Sequence, residues 1–140
     1  MSSVGGVTPK KILKEAMKEV SAEIVREPME PGGLVVGLDA GVPWGTSVRV
    51  EIAPDDGLME LKLLTLTTDP EVQAEVYVVS GNVESRLLSL PGGFEVEFDI
   101  DEVFGELRFE KLVLVVKTEY GTSDFRYVTL KYSGSIYKIG

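Results

Sequence analysis

Hydrophobic spacing divides the chain into a short helical part and a long β part. Leu13, Met17, Val20 and Ile24 recur at spacings of four, three and four, and Ile12 and Ala16 widen the same stripe. That period predicts one amphipathic helix from Pro9 to about Arg26. Thr8 stands at the N-cap position and Pro9 at the first helical position, where a missing N–H is harmless. Lys10 and Lys11 sit at the positive end of the helix dipole, against the usual preference. The run Glu27-Pro28-Met29-Glu30-Pro31-Gly32-Gly33 then predicts a hinge. Residues 1–33 thus read as an arm, helix and hinge, and residues 34–140 as a β domain.

Beyond the hinge the period drops to two. Val48, Val50 and Ile52 alternate with Arg49 and Glu51; Phe94, Val96, Phe98 and Ile100 alternate with Glu95, Glu97 and Asp99. Strands are predicted at 34–38, 47–53, 58–67, 72–80, 83–89, 94–100, 107–117 and 125–132, with a last one at 135–139. Turn residues separate them, as in Pro54-Asp55-Asp56-Gly57 and Leu90-Pro91-Gly92-Gly93. Eight or nine short strands with no helix between them predict a mainly β fold, an antiparallel sandwich or jelly-roll-like barrel. Leu61–Leu66 and Leu112–Val116 break the alternation, being apolar on both faces. Such strands need cover from the N-terminal helix, from a bulge that switches faces, or from a neighbouring subunit.

Composition narrows the chemistry. The 140 residues include no Cys and no His, and 14 Lys+Arg against 23 Asp+Glu give a net charge of −9. Disulfides, thiolate nucleophiles and Cys- or His-based metal sites are therefore excluded, and with His goes the commonest general base. An acidic chain is ill suited to nucleic acid. No apolar run approaches a bilayer span and no signal peptide is evident, so the expectation is a protein made in the cytoplasm, away from the membrane. Asn82 and Gln73 are the only side-chain amides and Glu outnumbers Asp 16 to 7, a pattern that suggests a thermophilic host.

Three features could carry binding. Trp44, the only Trp, lies in the inter-strand segment Gly41-Val42-Pro43-Trp44-Gly45-Thr46; it either folds over the end of the core or stands out as a stacking platform. Tyr120, Tyr127, Tyr132 and Tyr137 crowd the last quarter, where packing within strands accounts for them equally well. Asp99 and Asp101, with Glu102 and Glu106, bunch at a strand end as Ca²⁺ ligands do, although the spacing is not that of an EF-hand and a solvated acidic loop explains it too. No nucleophile elbow, no Ser-x-x-Lys motif in a helical context and no phosphate loop is present.

The arm, helix, hinge and β body resemble in layout the small decoration (cement) proteins that stabilise phage and virus heads. That resemblance implies a trimeric β domain on a capsid shell, with an arm clasping the adjacent subunit. The expected function is thus a non-enzymatic, cofactor-free assembly protein, a homo-oligomer at the virion surface. Leu13, Met17, Val20 and Ile24 on the arm and Leu112, Leu114 and Val116 on the body are its candidate interface. The alternative is a carbohydrate-binding module using Trp44, with Ca²⁺ at Asp99 and Asp101.

Overall fold

The alternating segments become strands almost one for one. The computed structural model describes residues 24–118 and 120–139, in the order β1 (Ile24–Leu38), β2 (Ser47–Ile52), β3 (Leu58–Thr68), β4 (Val72–Ser80), β5 (Val83–Leu90), β6 (Glu95–Asp99), α1 (Ile100–Phe104), β7 (Arg108–Phe109), β8 (Lys111–Thr118) and β9 (Arg126–Ile139). One sheet runs β1-β9-β3-β6, with β7 beside β3; the other runs β2-β8-β4-β5. All pairs are antiparallel. The pairings β1–β9, β2–β8, β3–β6 and β4–β5 nest like one long folded hairpin. Rolling it brings β9 beside β3 and β8 beside β4, which is jelly-roll topology.

The N-terminal reading is corrected where it can be seen. Leu13, Met17 and Val20, with most of the predicted helix, lie outside the described residues. Ile24 through Arg26 are strand, paired with Ile139 through Tyr137. The predicted hinge is also strand: β1 crosses it with a bulge, Glu30 and Pro31 lying opposite the single residue Ser133. Two prolines are tolerated because β1 is an edge strand, with only one side committed to a ladder.

Two other predicted boundaries shift. The 107–117 strand splits at Glu110, whose N–H bonds the Val79 carbonyl (2.8 Å) while its carboxylate accepts from the Gly81 N–H (2.9 Å). The last two predicted strands fuse into β9.

The strands apolar on both faces find their cover within the chain. In β3 a bulge at Lys62 switches faces: Met59 and Leu61 are buried on one side of it, Leu64 and Leu66 on the other, while Lys62 and Leu63 turn outward. Glu60, between Met59 and Leu61 and so on the face away from the core, is nonetheless only 3% exposed, and its carboxylate accepts from Arg108 Nε at 2.7 Å. Gly134 pairs with Met29 and with Leu61, beside both bulges. A Cβ there would overlap the Glu60 carbonyl and lie 2.8 Å from Leu61 Cα, so only glycine fits.

In β8, Leu112, Leu114 and Val116 point into the core at 0%, 0% and 1% exposure. The expectation that they carry assembly is corrected: the sandwich interior already occupies them. Val113 and Val115, on the outer face, are nonetheless buried. Val113 lies between Glu51 and Tyr77, and Val115 between Arg49 and Glu75. These neighbours belong to an ion-paired layer. Arg49 bridges Glu51 (3.2 Å) and Glu84 (2.5 Å), Lys111 reaches Glu51 (3.3 Å), and Glu75 takes Lys117 (2.9 Å) and Arg86 (3.4 Å). Long charged side chains screen the valines with their stems and keep their heads in water.

Candidate functional site

The most distinctive surface lies at the end of the sandwich where loops 39–46, 69–71, 91–94 and 119–125 meet. Hydrogen bonds tie them in a row. Thr122, 7% exposed, donates its hydroxyl to the Asp39 carbonyl (2.6 Å) and accepts from the Val42 N–H (2.9 Å). Thr118, 3% exposed, does the same between the Pro43 carbonyl (3.0 Å) and the Thr46 N–H (3.1 Å). Backbone bonds run alongside, Thr118 N–H to Thr46 (3.0 Å) and Thr122 N–H to Val42 (3.1 Å). Next in the row, Glu71 accepts from Ser123 N–H (2.8 Å), Ser123 Oγ (3.0 Å) and Arg126 Nε (2.9 Å). Asp69 accepts from Tyr127 N–H (2.7 Å), and Thr68 N–H bonds the Phe94 carbonyl (2.9 Å).

This network fixes the aromatic side chains that the loops display. Rungs at 46/118 and 42/122 continue the β2–β8 register, so Trp44 and Tyr120 fall opposite each other. Both face solvent, Trp44 at 75% and Tyr120 at 84% exposure. Trp44 is therefore an exposed residue on a clamped loop, and does not fold over the core. Phe94, Phe125 and Tyr127 are also exposed along the row, whereas Tyr132 packs against the core and Tyr137 lies under the Arg108 guanidinium. Gly121 permits the close seating: its φ of +83° suits glycine, and a Cβ would come within 2.9 Å of the Val42 carbonyl.

Electrostatics reinforce the clamp. The Ser123 N–H, then Arg126, hold the Glu71 carboxyl below the usual carboxylate range. Those bonds also offset the strain at Glu71, whose φ of +73° is the one positive value at a non-glycine among the described residues. Asp39, Asp69 and Asp124 add negative charge, and these four loops contain no lysine.

The acidic bunch is not brought together as a cation site. Asp99 caps α1, its Oδ1 accepting from the Glu102 N–H at 3.2 Å, while Asp101 pairs with Lys62 at 3.0 Å. Among the described residues no group of three or more acidic side chains could hold a metal ion. The bunching reflects a helix start, where acids are favoured.

Thr118, Thr122 and Glu71 were missed from the sequence. The available signal was the equal count from Thr46 to Val42 and from Thr118 to Thr122, which lets the β2–β8 register run on into the loops.

No family model and no curated protein matches the chain. Among solved structures it is similar to a Bacillus endospore appendage protein of disulfide-linked pili (14% identity, 79% of this chain and 92% of that one, TM-score 0.41). It is also similar to a CBM4 carbohydrate-binding module (14%, 76% and 84%, TM-score 0.36). A third likeness is to an infectious bursal disease virus protein (12%, 86% and 34%, TM-score 0.37), of which the chain spans about a third. Scores this low reflect general sandwich shape and say nothing of function.

Proposed function

We propose that the protein is a non-catalytic building block that associates with copies of itself, in the simplest case as a closed trimer. Its finer role on this reading is decoration of a larger protein shell such as a capsid, made in the cytoplasm and carried on the virion surface, in a thermophilic host. The aromatic loop end carries the proposal. Its exposed rings, Trp44 and Tyr120 opposite each other with Phe94 and Phe125 further along the row, leave aromatic faces in water that a partner would bury. Clamped loops suit such a surface, because little ordering entropy remains to be lost on binding. Light scattering on the full chain tests it. A defined multiple of 15.3 kDa is expected, and a monomer at every concentration refutes self-association.

The second reading is a carbohydrate-binding module. The opposed, exposed Trp44 and Tyr120 favour it, since such a pair can stack on sugar rings. A glycan screen with Trp44→Ala as control tests it; binding that survives the substitution removes Trp44 from that role.

A further inference from the structure

We infer that the aromatic loop end receives the segment Thr8–Val20 of a neighbouring copy, joining subunits head to tail. This deepens the assembly reading and rests on it. The first support is chemical match. The stretch Thr8-Pro9-Lys10-Lys11-Ile12-Leu13-Lys14 carries three lysines, no acid and two large apolar residues. The loop end offers aromatic faces beside Asp39, Asp69 and Asp124, and its basic neighbours Arg126 and Lys117 are engaged by Glu71 and Glu75. Lysines on such a surface gain both charge pairing and cation–π contact. The match also gives a purpose to Lys10 and Lys11, which stand at the unfavourable end of the predicted helix dipole.

The second support is reach. β1 begins at Ile24, at the end of the sandwich opposite the aromatic loops, and needs 15 residues to arrive there. At about 3.3 Å per residue that is about 45 Å or more. The helix predicted from Pro9 to about Arg26, cut back to residue 23 by the start of β1, would span only about 23 Å. A helix of that length would leave its lysine-bearing start short of the loop end of its own copy, which favours an occupant from the next one. Symmetric contact between two aromatic ends is disfavoured, because it would set the three aspartates against their own copies.

The test uses the full chain, which has no cysteine of its own. Thr8→Cys and Ala40→Cys are made separately and together; Ala40 is exposed in the first loop of the row. Mixing the two single variants under mild oxidation should give the mixed disulfide in clear excess over either like pair, and the double variant should link into multimers. A double variant that closes on itself as a monomer overturns the inference, since the arm then occupies its own copy. In parallel, Lys10→Glu with Lys14→Glu, both outside the described residues, should weaken association about tenfold or more and shift emission from Trp44, the only Trp, to the red. If the unmodified chain is monomeric, the assembly reading itself fails. If it is a multiple but neither the cross-link nor the emission shift appears, assembly stands and this docking site falls. Emission that responds to soluble oligosaccharide but not to the lysine changes assigns the end to sugar instead.

Discussion

Leu114→Ala and Val115→Ala, one residue apart on opposite faces of β8, separate a core role from an interface role. Leu114 is fully buried between the sheets, in contact with a core that includes Val76 from the neighbouring strand. Truncation removes its isobutyl group from a closely packed interior that can collapse only partly. The expected loss is about 3–4 kcal/mol, within the range for buried Leu→Ala changes. With an unfolding entropy of about 2.1 cal/mol/K per residue, that lowers Tm by about 10–14 °C for a chain of this size. Val115, 8% exposed, is covered by flexible ion-paired side chains that can close over a smaller residue, so its loss should be about 1 kcal/mol. Chemical denaturation read by circular dichroism at several protein concentrations gives both values. The reasoning is refuted if Leu114→Ala loses less than Val115→Ala. It is equally refuted if the loss at Leu114 vanishes on dilution, as it would for a residue buried by a partner.

Three further outcomes follow from the same structure. Glu75 is held below the usual carboxylate range chiefly by Lys117, and Glu51 and Glu71 are lowered by their own partners. Depressed carboxyls stabilise the fold above the unfolded value of about 4.3, and that stability is lost as pH falls through the folded values; Tm against pH should drop below about 4.3, and Glu75→Gln should flatten the drop while removing about 1–2 kcal/mol at neutral pH. Gly134→Ala should destabilise by about 2–3 kcal/mol, because the added methyl meets the backbone of Glu60 and Leu61; unchanged denaturation would show that the bulges can shift. A chain starting at Ile24 should keep its melting temperature far better than one starting at Gly32, which loses the rungs from Ile24–Ile139 to Met29–Gly134; equal melting would mean that the first half of β1 adds nothing.

The alternating segments were legible because each has one wet face, so period and burial agree, as in β2 and β6. Residues 24–33 were not, since prolines and glycines read as a break unless the strand is known to lie at an edge with a bulge. That is tertiary information, set by β9. The doubly apolar strands were recognised, but their resolution needed two facts that one strand's sequence does not hold. One is the register slip at Lys62, fixed by Gly134 seventy-two residues away. The other is the charged layer over Val113 and Val115, contributed by the strands on either side and by β5. At the candidate site, Trp44 was legible as a loop aromatic. Its exposure was not, because the outcome depends on Thr118 and Thr122 clamping that loop from the far side of the chain.

On the assembly reading proposed above, these resolutions move the candidate surface from the sheets to the loop end. Both doubly apolar strands are satisfied internally, so neither needs a partner's face. The edges β2, β5 and β6 are short and carry charge at Arg49, Glu51, Glu84, Arg86, Glu95 and Glu97, and the long edge β1 is broken by Pro28, Pro31 and a bulge, all of which oppose edge-to-edge pairing. What remains is a row of exposed rings at one end and, at the other, the start of β1 at Ile24. A contact that joins two different ends is heterologous. It closes into a ring only if the rotation between subunits divides a full turn, and otherwise runs on as a filament. On the proposed docking, the turn from one subunit to the next would be set at the residues before Ile24, so changes in the length of residues 21–23 should alter ring size or open the ring while leaving the docking surface untouched.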